Sequence, residues 1–379
     1  MKLDPHVAKV HSDVNRTTKS VAIKKKNLPP VDQDWSQDGK IAFNLLPNEV
    51  LCIIISHCRG MEQLRIEQTS SRLMQIVRQC QKHRSHLDVQ HEYGLTEPIG
   101  FSKFVDSCLC RYPRLKSLSL RGCPIYLDST NLLKLNSLYK HLHCLNVAQQ
   151  HAHPKLSANA FTVLSRFTSL KQLCLDRTPL YVSNDNVKRA VMQPPESVLT
   201  RLTDFSLLCN SGYLFRLLLV NRCCTRPFTN LKRLQLGNRS WVTLNDSDFG
   251  LLMGFLRQAA DNLEEVRLQD LCFANEQNAV TLFRQLLDMP QLRSLQLVSC
   301  TIRSLSTTYV EDTHCADLMR RAEHLNHLER IVVRTSDQLF TRVIRKVFAG
   351  HSRLGGDVRM IYPDGIEIVI DCPEPTRRP

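Results

Sequence analysis

No uncharged apolar run in this 379-residue sequence approaches the about 20 residues needed to cross a bilayer, which argues against a membrane-spanning helix. The first residues carry Asp4, Lys9, Asp13 and Arg16 without an apolar core, so no secretory signal is expected. Acidic residues are in deficit, 36 against 50 basic, for a formal net charge of +14. Such a balance favours acidic partners without naming one: nucleic acid, an acidic protein and a merely well-solvated surface all fit. The 15 cysteines are odd in number, scattered and mostly embedded in apolar positions. They make poor material for a disulfide framework and suit a reducing compartment, cytoplasmic and/or nuclear. Signatures of catalysis are missing as well: no phosphate loop, nucleophile elbow or zinc-protease helix occurs, and no pair of carboxylates is set apart. A non-enzymatic protein without cofactor is expected.

What is present is a spacing. Leu292 to Cys300 reads L-x-x-L-x-L-x-x-C, and copies begin at Leu115, Leu142, Leu170, Leu202, Leu231, Leu263 and Leu328. Their second apolar positions are Leu118, Leu145, Leu173, Phe205, Leu234, Val266, Leu295 and Ile331, so successive gaps are 27, 28, 32, 29, 32, 29 and 36 residues. Within a copy the fourth and sixth positions point one way and the third, fifth and seventh the other, the period of a short strand with one buried face. Helical spacing follows, as in Leu251, Leu252, Phe255 and Leu256, or Val280, Phe283, Leu286 and Leu287. The pattern resembles a leucine-rich-repeat array. That resemblance implies an α/β solenoid over residues 81–356, with a curved parallel sheet inside and helices outside. Only Cys123, Asn210 and Cys300 fill the ninth position with the family's Asn or Cys.

Residues 1–40 hold no hydrophobic period and include Lys24 to Lys26 and Pro29-Pro30, which predicts a disordered basic arm. From Asn44 the character changes. Pro47 suits a first helical turn, and Val50, Leu51, Ile54 and Ile55 follow at helical spacing, with Gly60 predicted to close that helix. Shorter helices are expected around Met61 to Glu67 and Ser71 to Gln79. The order Leu46-Pro47-x-Glu49-Val50-Leu51-x-x-Ile54-Ile55-Ser56, then Glu62-x-Leu64, resembles an F-box over residues 41–80. Cys58 stands where leucine is usual, and Ser70 to Val77 lacks the Cys and Trp often found there. The resemblance implies a small three-helix module that docks on the Skp adaptor of a cullin-RING ubiquitin ligase through Leu46, Pro47, Glu49, Val50, Leu51, Ile54, Ile55 and Leu64. It further implies that the repeats bind one or more protein substrates. The alternatives are a repeat scaffold in a non-ligase complex and a nucleic-acid-associated repeat protein.

Ser85 to Gln90 resembles a degenerate first strand, with Leu87 and Val89 as its apolar pair and a helix to follow over about residues 102–111. At the other end, residues 357–371 alternate on both sides of Pro363-Asp364-Gly365, predicting a final strand and an antiparallel edge strand that cap the array, with residues 357–379 as cap and frayed tail. His141, His143, Cys144, His151 and His153 match no zinc spacing and read as exposed histidines. The third, fifth and seventh columns carry Arg121, Arg233, Arg267, Arg330 and Arg334 against Asp176, Asp204 and Glu265, a mixed surface without aromatic platforms, which argues against nucleic acid. Interface energy usually concentrates in Trp, Tyr and Arg. The aromatics fall just after the strands, with Tyr126 and Tyr181 predicted to face outward beside core residues Ile125 and Leu180. Tyr126, Tyr181 and Trp241, together with Arg233 and Arg267, are the candidate substrate contacts, the alternative being that they pack their loops.

Overall fold

Helix α1 (Asn48–Ser56) opens the second of two units into which the chain divides, residues 1–47 and residues 48–379. The structure is a computed structural model that describes residues 46–125, 127–148, 156–157, 163–177, 180–181, 200–209, 228–238, 243–303, 330–348, 356–361 and 365–371. The arm expected over residues 1–40 and the tail after Cys372 lie outside the described residues. Helices α2 (Gly60–Glu67) and α3 (Ser71–His83) complete the N-terminal helical region, and both α1 and α2 pack on α3. Ser70 caps α3 by accepting the Leu73 N–H at 3.2 Å. Gly60 does not close α1, as the sequence predicted, but opens α2. A Cβ there would lie 3.0 Å from Cζ of Tyr93, so the glycine answers to close packing rather than to a turn.

The strands in chain order begin with β1 (His86–Asp88), β2 (Ser117–Ser119), β3 (Cys144–Asn146), β4 (Leu156–Ser157), β5 (Gln172–Cys174) and β6 (Leu180–Tyr181). They continue with β7 (Asp204–Cys209), β8 (Arg233–Asn238), β9 (Thr243–Leu244), β10 (Glu265–Gln269), β11 (Cys272–Phe273) and β12 (Ser294–Val298). The last are β13 (Thr301–Ile302), β14 (Arg330–Thr335), β15 (Gly356–Ile361) and β16 (Gly365–Asp371). The fold is thus mixed α/β. The main sheet runs β1-β2-β3-β5-β7-β8-β10-β12-β14-β16-β15, its first nine strands parallel. Between strands lie α4 (Val89–Tyr93), α5 (Phe101–Ser107), α6 (Ser129–Leu138), α7 (Asp246–Ala259) and α8 (Glu276–Leu287), and α9 (Gln338–Phe348) follows β14.

The register explains the spacing in the sequence. Leu87, Leu118, Leu145, Leu173, Phe205, Leu234, Val266, Leu295 and Ile331 are successive Cα partners across the nine strands. Each is 2% exposed or less, so one apolar residue per strand forms a continuous buried row. The eighth position behaves alike in four of the units. Gly122, Arg177, Asp270 and Ser299 all have positive φ, between 54° and 69°. Each sends its N–H to the carbonyl of the seventh position of the next unit: Ala148, Leu208, Val298 and Arg334, at 2.6 to 2.9 Å. Helix starts repeat too, since Asp128, Asn245, Asn275 and Asp337 each accept an N–H three residues on.

Two expectations need revision. The strand around Leu87 stops at Asp88, and Val89 begins α4 instead, although both residues are buried. In the C-terminal hairpin it is the second strand, β16, that joins the sheet beside β14, with β15 outermost and both pairings antiparallel. Ile366, Ile368 and Ile370 alternate along β16 and pair with Thr335, Val333 and Ile331, continuing the apolar period, whereas β15 carries Asp357 and Arg359 and suits an edge.

Candidate protein-binding surfaces

Helix α1 is apolar nearly all round between Val50 and Ile55, the pattern of a helix covered on two sides. Its inner side is covered by this chain: Leu51 and Ile55 are 1% and 0% exposed, and α3, which packs on α1, buries Ile76 and Val77. Leu51 and Ile55, predicted as partner contacts, are therefore core residues here, because the four-residue spacing that joins them faces α3. The outer side is bare. Val50 is 38%, Ile53 61% and Ile54 39% exposed, and Met61 at the start of α2 is 42% exposed. Those four are among five large apolar side chains exposed among the described residues. Ile53 escaped the sequence reading, although it stands three residues from Val50 on the same side. Glu49 and Pro47 are exposed, Leu46 is half-buried, and Leu64 is half-buried against the main core.

The helical region is fastened to the sheet by buried polar groups. Gln63, 2% exposed, donates to the carbonyls of Ile55 and Cys58 at 2.9 Å, and Gln81, fully buried, donates to Gln63 Oε1 at 3.1 Å. Arg111, beyond α5, pairs with Glu67 of α2, which also pairs with Arg78. Glu92 of α4 accepts the Gly60 N–H at 2.6 Å and pairs with Arg84. Most of these buried groups are paired, although Arg84 keeps one buried guanidinium nitrogen without a hydrogen-bond partner among the described residues. Burial alone would raise the Glu67 carboxyl, yet hydrogen bonds and charge from Arg111 and Arg78 outweigh it and hold the group below the usual range.

The sheet offers a second surface. Third and fifth positions of the units line a hollow of about 610 Å³, from Asp88 and Ser117 on one side to Ser294 and Gln296 on the other. Beyond Asp88, from β2 to β5, its lining is small and neutral, with Ser117, Ser119, Asn146 and Gln172. Burial pushes the Cys174 thiol up to about 11 and raises that of Cys144, which favours the protonated thiol at both. Across β7, β8 and β10 the lining is charged, with Asp204, Arg233, Glu265 and Arg267. Arg233 forms an ion pair with Asp204, and Asp176, outside the hollow's lining, accepts from Ser206 Oγ at 2.6 Å and from the Leu208 N–H at 3.1 Å. Arg267 is half-buried, donates to Gln269 at 3.3 Å and keeps its buried Nε without a hydrogen-bond partner among the described residues. Of the candidate contacts, the structure brings Arg233 and Arg267 into one hollow. Tyr126 and Trp241 lie outside the described residues, and of Tyr181 only the backbone, in β6, is described. Ile125 is buried as predicted.

A helical region with an exposed apolar side, followed by a largely parallel sheet, is the class these surfaces define. Residues 43–85 match the family model for the F-box domain. F-box domains in general serve substrate recognition by Skp–cullin–F-box ubiquitin ligases and bind Skp adaptors, and the proteins that carry them are generally non-catalytic adaptor subunits. No curated protein matches the chain.

Proposed function

We propose that this chain is the substrate receptor of a Skp–cullin–F-box ubiquitin ligase. Its F-box, residues 41–80, docks on the Skp adaptor, and a leucine-rich-repeat solenoid over residues 81–356, capped by residues 357–379, holds a protein substrate. One observation carries the docking: the apolar outer side of α1, Val50, Ile53 and Ile54, within the stretch that matches the F-box. Support for the repeat reading comes from the in-register apolar row and from hydrogen bonds repeated at the same position of successive units. The chain catalyses nothing in this reading. It acts by proximity, raising the effective concentration of substrate lysines near the ubiquitin-loaded enzyme.

The test is binding of purified Skp adaptor to the Ile53→Asp/Ile54→Asp variant. A charge buried at the contact without a partner should weaken binding by at least about a hundredfold, with an unchanged thermal transition. Wild-type affinity in that variant would refute the docking. For the substrate, Arg267→Glu combined with Tyr126→Ser and Tyr181→Ser should abolish capture while adaptor binding persists. Arg267 is a better probe than Arg233, whose charge is already engaged by Asp204.

A further inference from the structure

A row of mostly basic side chains, interrupted by Thr203 and Glu264, runs along the N-terminal ends of the parallel strands at the second position of successive units. Lys116, His143, Lys171, Thr203, Lys232, Glu264 and Arg293 are stacked main chain to main chain, each N–H donating to the carbonyl of the one before it at 2.7 to 2.9 Å. The row is therefore one residue wide, with steps of about 4.8 Å. Its two halves differ. In the second, Lys232 is engaged by Glu264 at 2.7 Å. In the first, Lys116 and Lys171 are exposed and have no carboxylate partner among the described residues. The loops leading into these strands add exposed Arg114, Lys140 and His141, and Arg114 reaches His83 Nδ1 at 3.3 Å, joining the row to the last turn of α3.

We propose that this stripe, from Arg114 through Lys116 and Lys140 to Lys171, docks an extended acidic segment of a partner polypeptide. Unpaired like charges held at fixed spacing along a line are complementary to carboxylates spaced along an extended chain. Lys116, His143 and Lys171 span about 10 Å, the reach of about three residues of extended chain. Nucleic acid is disfavoured here, because single strands need aromatic platforms, and the tyrosines of the neighbouring turns, Tyr112 and Tyr139, are 0% and 5% exposed. A duplex would need a wider positive face than a single row. The proposal concerns a surface apart from α1 and does not rest on the ligase reading.

Fluorescence anisotropy with a labelled oligoglutamate peptide and the full chain tests it. Lys116→Glu/Lys171→Glu should weaken binding by about tenfold or more, whereas Lys103→Glu/Lys134→Glu, which removes the same charge from α5 and α6, should change it by less than about twofold. Lys116→Gln/Lys171→Gln should fall between, and all variants should keep the wild-type thermal transition and bind the Skp adaptor as wild type does. Equal losses in the two reversal variants would mean that only net charge matters and would overturn the stripe. Displacement of the peptide by oligothymidylate more readily than by unlabelled oligoglutamate would overturn it in favour of nucleic acid.

Discussion

At Gly122 the backbone stands at φ 69°, and nothing lies within 4 Å of where a Cβ would be. Its requirement is conformational, set by the N–H it sends to Ala148. Gly237 differs: an added Cβ would meet Gln269 O at 2.7 Å and Leu208 Cδ2 at 2.6 Å. Gly122→Ala should therefore cost about 1 to 2 kcal/mol from strain alone, and Gly237→Ala about 1 to 3 kcal/mol from overpacking, both read by urea unfolding. Thiols separate in the same way. Burial pushes the Cys123 and Cys300 thiols up to about 12, and burial with neighbouring Cys52 does the same to Cys80. Because the thiolate is the reactive form, alkylation at neutral pH should, among the described cysteines, mark exposed Cys110 first and reach Cys300 only as the chain unfolds, as peptide mass spectrometry would show. The sequence told which residues are apolar but not which apolar side of α1 the chain itself covers. Leu51 and Ile53 are equal as hydrophobes, and only the position of α3 makes one core and the other surface.

Elements were the most legible level. Each L-x-x-L-x-L copy became a strand, because alternation with one buried face survives only in a sheet, and the helices after Asn245 and Asn275 begin where an Asx side chain can accept an orphan N–H. Asn275→Ala should accordingly cost about 1 kcal/mol, detectable as a lowered thermal midpoint. Less legible were short elements governed by neighbours rather than period. Val89 is buried equally well from a strand or from α4, so its apolar character did not choose between them. The order of the final hairpin strands likewise depends on pairing with β14, a long-range contact that local alternation leaves open.

Across the whole molecule, the junction between F-box and sheet depends on polar groups far apart in sequence, such as Arg111 with Glu67 and Gly60 with Glu92, which no local pattern announces. The face of the sheet was readable, since its columns follow from the period. Its mixed charge was readable too, but the particular pairing of Arg233 with Asp204, which come from different units, appears only in register. Glu67 gives the junction a pH dependence. Its folded pKa lies below the ordinary 4.5, so the unfolded chain binds the proton first as pH falls. Its stabilising contribution is present above about 4.5 and is lost as pH drops through the lower folded value. Glu67→Gln should lower stability at neutral pH, and the gap to wild type should close in acid, as thermal unfolding from about pH 7 to about pH 3 would record. If the gap were constant across that range, Glu67 would act through packing alone.

The reversal of direction at β16 bears on how such a chain can lengthen. A duplicated unit inserted among the parallel strands meets the same hydrogen-bond pattern on both sides and the same apolar row, so copy number can drift there without redesign. Past β14 the ladder changes from slanted, evenly spaced bonds to perpendicular paired ones, and a further parallel unit would find no matching edge. The hairpin therefore closes the parallel run at β14, and an added parallel unit would find matching neighbours only between β1 and β14.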